Sequence, residues 1–178
     1  AAGDQPLGLV TGTWPAPADD EPLSFAVDGL GGTLPEPEFW LEATSADSSV
    51  VELWWVGHED HRIAVAADRV VQTQAMIAAA AADGVLLKGW GWRSFERQIE
   101  LRAAHCADVW TTPASECSPP TARPGHSRHE YGLAVDFSDG TAAIGPDSPE
   151  FAWLAEHAAD FGYFNLPSES WHWSADGH

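Results

Sequence analysis

Positive charge is what this chain has least of. Eight lysines and arginines stand against 27 aspartates and glutamates, giving a formal net charge of −19. A surface that acidic repels nucleic acid and anionic lipid, which sets both aside as partners. An anionic ligand would have to be held by local cations against the overall field, so an arginine inside a motif is informative. Long apolar runs are missing as well. The longest, Ala75 to Ala82, falls far short of the roughly 20 residues that cross a bilayer. It suits a helix of a soluble protein, and no membrane insertion is expected. There is no internal repeat and no low-complexity array.

Cysteine is nearly absent: Cys106 and Cys117 are the only two, and they flank a loop rich in Pro, Ser and Thr. One reading makes them zinc ligands assisted by His105, but that group lacks an obvious fourth ligand. The other makes them a disulfide, which suits an oxidising compartment and contributes about 3 kcal/mol by closing the loop. The disulfide Cys106–Cys117 is the expectation. The chain opens Ala1-Ala2-Gly3 without an initiator methionine, which is compatible with a mature end left by signal-peptide removal or with a trimmed chain. Secretion or attachment to the cell wall is the expected location.

What is present fits one compact domain. At 178 residues the chain is long enough to bury a sizeable core, and 44% hydrophobic with 20% charged residues argues against general disorder. Residues 1–60 read as irregular chain and short strands packed on a main body at 61–178. Val50–Val56 and Arg62–Ala66 alternate like strands joined by the polar turn Gly57–Asp60. A helix follows from Asp68 to Asp83, with Val70, Ile77 and Ala81 beside Val71, Ala75 and Ala78 on its apolar face and Gly84 ending it.

Val85–Trp90 reads as a strand. Ser94 caps a helix with Phe95, Ile99, Ala103 and Cys106 along one side. A loop at 109–126 leads to a short buried strand, Leu133–Phe137. Ser148-Pro149 starts a helix whose inward face is Phe151, Leu154, Ala155, Ala158 and Phe161, with Gly162 ending it, and Ser170–Ser174 returns as a strand. The predicted fold is α+β, a small central antiparallel sheet flanked by helices, with a zinc site on the sheet face.

The chemistry concentrates in Ser127-Arg128-His129-Glu130-Tyr131-Gly132-Leu133-Ala134-Val135-Asp136. Catalytic zinc takes three protein ligands from His and Asp/Glu and leaves a fourth position open. His129 and Asp136 are seven apart, which a straight strand would place on opposite faces. Gly132 between them can supply a bend that aims both at one point. In Glu169-Ser170-Trp171-His172-Trp173, His172 can be the third ligand. Glu169, three residues earlier, is placed as a base for a water whose pKa the metal lowers to about 7. Trp171 and Trp173 would wall the site. The pair His129-Glu130 does not continue as His-Glu-x-x-His, because position 133 is Leu.

Ser-x-His-x-x-Gly-x-Ala-x-Asp, followed at a distance by Glu-x-Trp-His, resembles the zinc D-alanyl-D-alanine carboxypeptidases of the VanY type, with their dipeptidase and phage-endolysin relatives. Gly91-Trp92-Arg93-Ser94-Phe95-Glu96-Arg97-Gln98 is similar to that family's Gly-Tyr-Arg-Ser-x-x-x-Gln, with Trp92 where Tyr is usual. The resemblance implies one catalytic zinc on His129, Asp136 and His172, with Glu169 as general base. It implies that Arg93 stabilises the oxyanion or holds the substrate carboxylate, and that Gln98 and Ser127 help hold the peptide.

The substrate so implied is a peptidoglycan stem peptide ending in D-Ala-D-Ala, cleaved by a monomer. An endopeptidase with the same metal site and a non-catalytic zinc-stabilised binding module are the alternatives. Ser127 is also read as a simple cap of the turn carrying His129. His58, His61, His105, His126, His157 and His178 are read as structural or exposed. Trp14, Trp40, Trp54 and Trp55 are read mainly as core, with a glycan-stacking surface as the other reading.

Overall fold

The computed structural model describes residues 34–45 and 47–178; Trp14 and the rest of the first 33 residues lie outside them. Two antiparallel sheets stand where one was expected. The first has order β1-β2-β3, from β1 (Glu38–Thr44), β2 (Val50–His58) and β3 (His61–Ala66). The second has order β4-β5-β7-β6, from β4 (Lys88–Trp90), β5 (Ala134–Ser138), β6 (Phe164–Leu166) and β7 (Glu169–Ser174). The expected boundary at 60/61 falls in the turn between β2 and β3, whose strands pair across it from Leu53↔Ala66 to His58↔His61.

The sheets meet at Gly91, just beyond β4. A Cβ there would lie 2.0 Å from the Ala64 carbonyl oxygen, so only glycine lets the two backbones approach. Trp92 N–H then donates to Ala64 O at 2.7 Å.

Helix α1 (Val70–Ala82) follows a 3-10 turn at Ala67–Arg69. Its buried face is Thr73, Gln74, Met76, Ile77, Ala80 and Ala81, while Val71 is exposed. Ile77 and Ala81 are buried as expected, with Val70 and Ala78 packed against the core, and the polar Thr73 and Gln74 join them because each finds a partner. Gln74 accepts Gly57 N–H at 2.8 Å and donates to Pro35 O at 2.9 Å, and the Thr73 and Tyr163 hydroxyls lie 2.7 Å apart. The strand expected from Val85 starts only at Lys88, because Val85 N–H is spent on Ala80 O at the helix end.

Helix α2 (Phe95–His105) is capped by Ser94, whose hydroxyl accepts Arg97 N–H. It buries Gln98 and Arg102, and Ala103 of the expected apolar side is exposed. Helix α3 (Pro149–His157) starts at the Ser148 cap and buries Trp153 and Leu154, with Trp153 taking the place expected of Ala155. Between the sheets, α1 and α3 lies the main core: Val56, Ile63, Val65, Met76, Ile77, Val135, Phe137, Leu154, Tyr163 and Trp173 are members. Burying such side chains supplies about 1.5–3 kcal/mol each. Val135 and Phe137 anchor β5 in this core, and Trp173 anchors β7. No helix among the described residues is long and apolar enough to cross a membrane.

Candidate active site

His129 sits in a 3-10 turn, Arg128–Tyr131, that ends at Gly132 with φ +67°. Only glycine adopts that left-handed conformation at little cost, and a Cβ would lie 2.6 Å from Ala66 N. Gly132 O accepts Ala66 N–H at 3.1 Å, tying the turn to β3. The chain then enters β5, where Asp136 is the register partner of His172 on β7. Turn and sheet together bring His129, Asp136 and His172 to one point, their ligating atoms all within 4.8 Å of one another.

The hydrogen bonds fix which atoms face inward. His129 Nδ1 lies 2.7 Å from Gly91 O, and a carbonyl only accepts, so Nδ1 carries the proton and Nε2 presents a lone pair. His172 Nε2 lies 3.1 Å from His178 O, which leaves Nδ1 as its lone-pair atom. His129 Nε2 and His172 Nδ1 are 3.2 Å apart, and they lie 3.0 and 2.9 Å from Asp136 Oδ1. Three acceptor atoms this close repel unless a cation lies among them. Zinc–ligand bonds of tetrahedral sites imply ligand–ligand separations of about 3.3 Å, so the three residues fit a metal ion.

Charges around the cluster are arranged to suit it. Burial opposes ionisation of Asp136, but His129 and then His172 hold its pKa well below the usual carboxylate range. Without a metal, burial opposes protonation of His172, and the Asp136 carboxylate beside its Nδ1 outweighs this and pushes its pKa up. Arg93 Nη2 donates to the outer oxygen, Asp136 Oδ2, at 3.2 Å. A cavity of about 320 Å3 adjoins the cluster, lined among others by Arg93, Ser127, Glu169 and Trp171. Burial raises the pKa of Glu169, with His172 opposing, which makes it a stronger base than an exposed glutamate.

Sequence-predicted residues thus gather at one place, each in a distinct position. Glu169 opens β7, and Asn165 Nδ2 fastens that strand by donating to Glu169 O and His172 O at 3.0 and 3.1 Å. Ser127 is buried at the cavity wall and starts the turn of His129. Gln98 is fully buried beside Arg93. Trp173 belongs to the core and does not wall the site, whereas Trp171, packed against that core, does line the cavity. Trp40 stacks on Trp55 at 4.3 Å and meets Trp92, whereas Trp54 packs on Phe39. Neighbours on one strand point to opposite faces, so the described tryptophans do not make one glycan surface. Cys106 and Cys117 form a disulfide.

Sequence reasoning missed three residues. Asn165 carries no motif. Arg102 was hidden by the apolar reading of α2. Glu130 accepts Gly125 N–H at 2.9 Å and Ser127 N–H at 3.2 Å and so holds the turn ahead of His129. The spacing Ser127-x-x-Glu130 is a capping-box signal that could have revealed it.

The sequence profile of VanY, D-alanyl-D-alanine carboxypeptidase, matches residues 62–177. The chain belongs to the VanY family. Membership makes it a zinc-type metallopeptidase acting on peptidoglycan peptides. Among solved structures it is similar to VanYB in complex with D-Ala-D-Ala, at 20% identity over 85% of each chain and a TM-score of 0.48. It is also similar to a VanY variant from a VanB-type resistance cassette in complex with Zn(II), at 20% identity over 85% of this chain and 86% of that one, TM-score 0.48. The LdcB LD-carboxypeptidase gives 20% identity over 89% of this chain and 70% of that one, TM-score 0.51, a likeness of fold. No curated protein matches the chain.

Proposed function

We propose that this VanY-family protein removes the terminal D-alanine from peptidoglycan stem peptides ending in D-Ala-D-Ala, by zinc-dependent hydrolysis. The observation that carries the reading is the convergence of two imidazole lone pairs and the Asp136 carboxylate beside a cavity that also holds Glu169 and Arg93. His129, Asp136 and His172 would hold one zinc, which would supply polarisation of the scissile carbonyl and a water of pKa about 7. Glu169 takes the proton of that water and hands it to the leaving amine. Arg93, held against Asp136 Oδ2, faces the oxygen on which negative charge develops. No covalent intermediate on the protein is involved, and both cysteines are committed to the disulfide.

The lining favours an exposed peptide end over an internal bond. Its carboxylates are Asp136 and Glu169, both engaged by the chemistry, while Arg93 brings a guanidinium to the wall. In a chain of net charge −19, such a lining suits a free terminal carboxylate. Glu169 and Arg93 also speak for catalysis, since a purely structural metal needs neither. The disulfide supports placing the reaction outside the cytoplasm.

The test is to incubate the zinc-loaded protein with a D-Ala-D-Ala pentapeptide, a tetrapeptide ending in one D-Ala, and cross-linked muropeptides, and to identify the fragments. Free D-Ala from the pentapeptide is the expected product. Release only from the tetrapeptide would move the assignment to an L,D-carboxypeptidase, and larger fragments alone would make it an endopeptidase.

A further inference from the structure

Polar side chains occupy the inward face of α2. Gln98, Arg102 and His105 are spaced four and three residues apart, which puts them on one side of a helix. Gln98 and Arg102 are both 0% exposed. All three reach the same short segment of cavity wall. Gln98 Nε2 donates to Ala122 O at 2.7 Å, Arg102 Nη1 donates to Thr121 O at 2.6 Å, and His105 Nδ1 lies 2.9 Å from Thr121 Oγ1. Arg102 also donates to the carbonyls of Val109 at 3.0 Å and Thr112 at 2.6 Å. A buried guanidinium persists only when its N–H groups are satisfied, so the loop is wrapped around Arg102 and its position is set by α2. Gln98, Thr121 and Ala122 all belong to the cavity wall, Gln98 standing in it with no exposed surface of its own.

Gln98 joins this wall to the reacting centre. Its Oε1 accepts from Arg93 Nη1 at 2.9 Å, while Arg93 Nη2 reaches Asp136 Oδ2. The orientation of the amide is fixed by chemistry: only its oxygen can accept from a guanidinium, and only its nitrogen can donate to a carbonyl. Both ends of a fully buried amide are therefore engaged by the protein.

We propose that Gln98 is a positioning residue, which acts on the reaction through Arg93 and the wall at 121–122 and does not touch the peptide. Its kinetic consequence rests on the peptidase reading above; the bonding does not. Gln98→Met keeps the side-chain volume and removes both hydrogen bonds. With zinc-loaded protein and a D-Ala-D-Ala pentapeptide, the substitution should lower kcat/KM about 10- to 100-fold when Arg93 is present. It should change kcat/KM by less than about 3-fold when Arg93 is already alanine. The same large factor in both backgrounds would reveal a peptide contact independent of Arg93 and overturn the proposal.

Two further measurements stand apart from turnover. In the metal-free protein, the Arg93 Nη1 protons, one of which Gln98 Oε1 accepts, should exchange with solvent about tenfold faster in Gln98→Met than in the wild type; equal rates would overturn the clamp. This holds even if no peptide is cleaved, a result that would count against the proposed function alone. With Gln98 left in place, adding the pentapeptide to zinc-loaded Glu169→Gln protein should shift the Arg93 Nε–H resonance and leave the Gln98 side-chain amide unshifted. A Gln98 shift as large as that of Arg93 would contradict the assignment.

Discussion

Each imidazole of the site is oriented to offer a lone pair by what its other nitrogen does. Gly91 O and His178 O accept hydrogen bonds from His129 Nδ1–H and His172 Nε2–H and so aim the two lone pairs at Asp136 Oδ1. Glu169 stands outside that trio, so its removal separates binding from chemistry. Glu169→Gln should keep the metal and lower kcat by about 10²- to 10⁴-fold, the range of a lost general base; parallel metal analysis and turnover check this, and loss of metal would make Glu169 a ligand. Far from the site, Tyr163 makes a stability prediction. It is fully buried against Thr73 and burial pushes its pKa up to about 12. The fold therefore favours the neutral phenol: its contribution is whole below the unfolded pKa of about 10 and is lost as pH rises through about 12. Two units correspond to about 3 kcal/mol. Denaturant midpoints between pH 9 and 12 should fall more steeply for the wild type than for Tyr163→Phe.

At the scale of elements, the turn carrying His129 decides whether the site exists. Gly132→Ala meets both a left-handed backbone and a Cβ 2.6 Å from Ala66 N. It should destabilise the protein by about 1–3 kcal/mol or more and weaken metal binding together with thermal stability, both readable by melting with and without zinc. This turn was legible in the sequence, because the odd spacing of His129 and Asp136 requires a bend and glycine supplies one. The caps at Ser94 and Ser148 and strands β2, β3, β5 and β7 were legible for the same reason: local signals and local geometry agree. Helix α2 was not. Its buried face is set by carbonyls that a loop at 108–122 brings from elsewhere, and no periodicity in Phe95–His105 announces them. The division into two sheets was also hidden, since it depends on Gly91 passing Ala64, a contact between residues far apart in the chain.

For the whole molecule, net charge bears on how a substrate arrives. A net charge of −19 repels an anionic peptide before the local cations can hold it. Raising ionic strength from about 0.01 to 0.15 M shortens the Debye length from about 30 to 8 Å. The account therefore predicts that KM for a D-Ala-D-Ala peptide falls as salt rises over this range; a rising KM would mean that attraction at the cavity outweighs the overall field. All of these statements depend on two histidines and an aspartate holding one metal ion. Elemental analysis after dialysis against metal-free buffer tests this most directly, on the wild type and on His172→Ala. The account predicts about one zinc per wild-type chain and loss of most of it in the variant. A metal-free wild type, or a variant that retains its zinc, would contradict it.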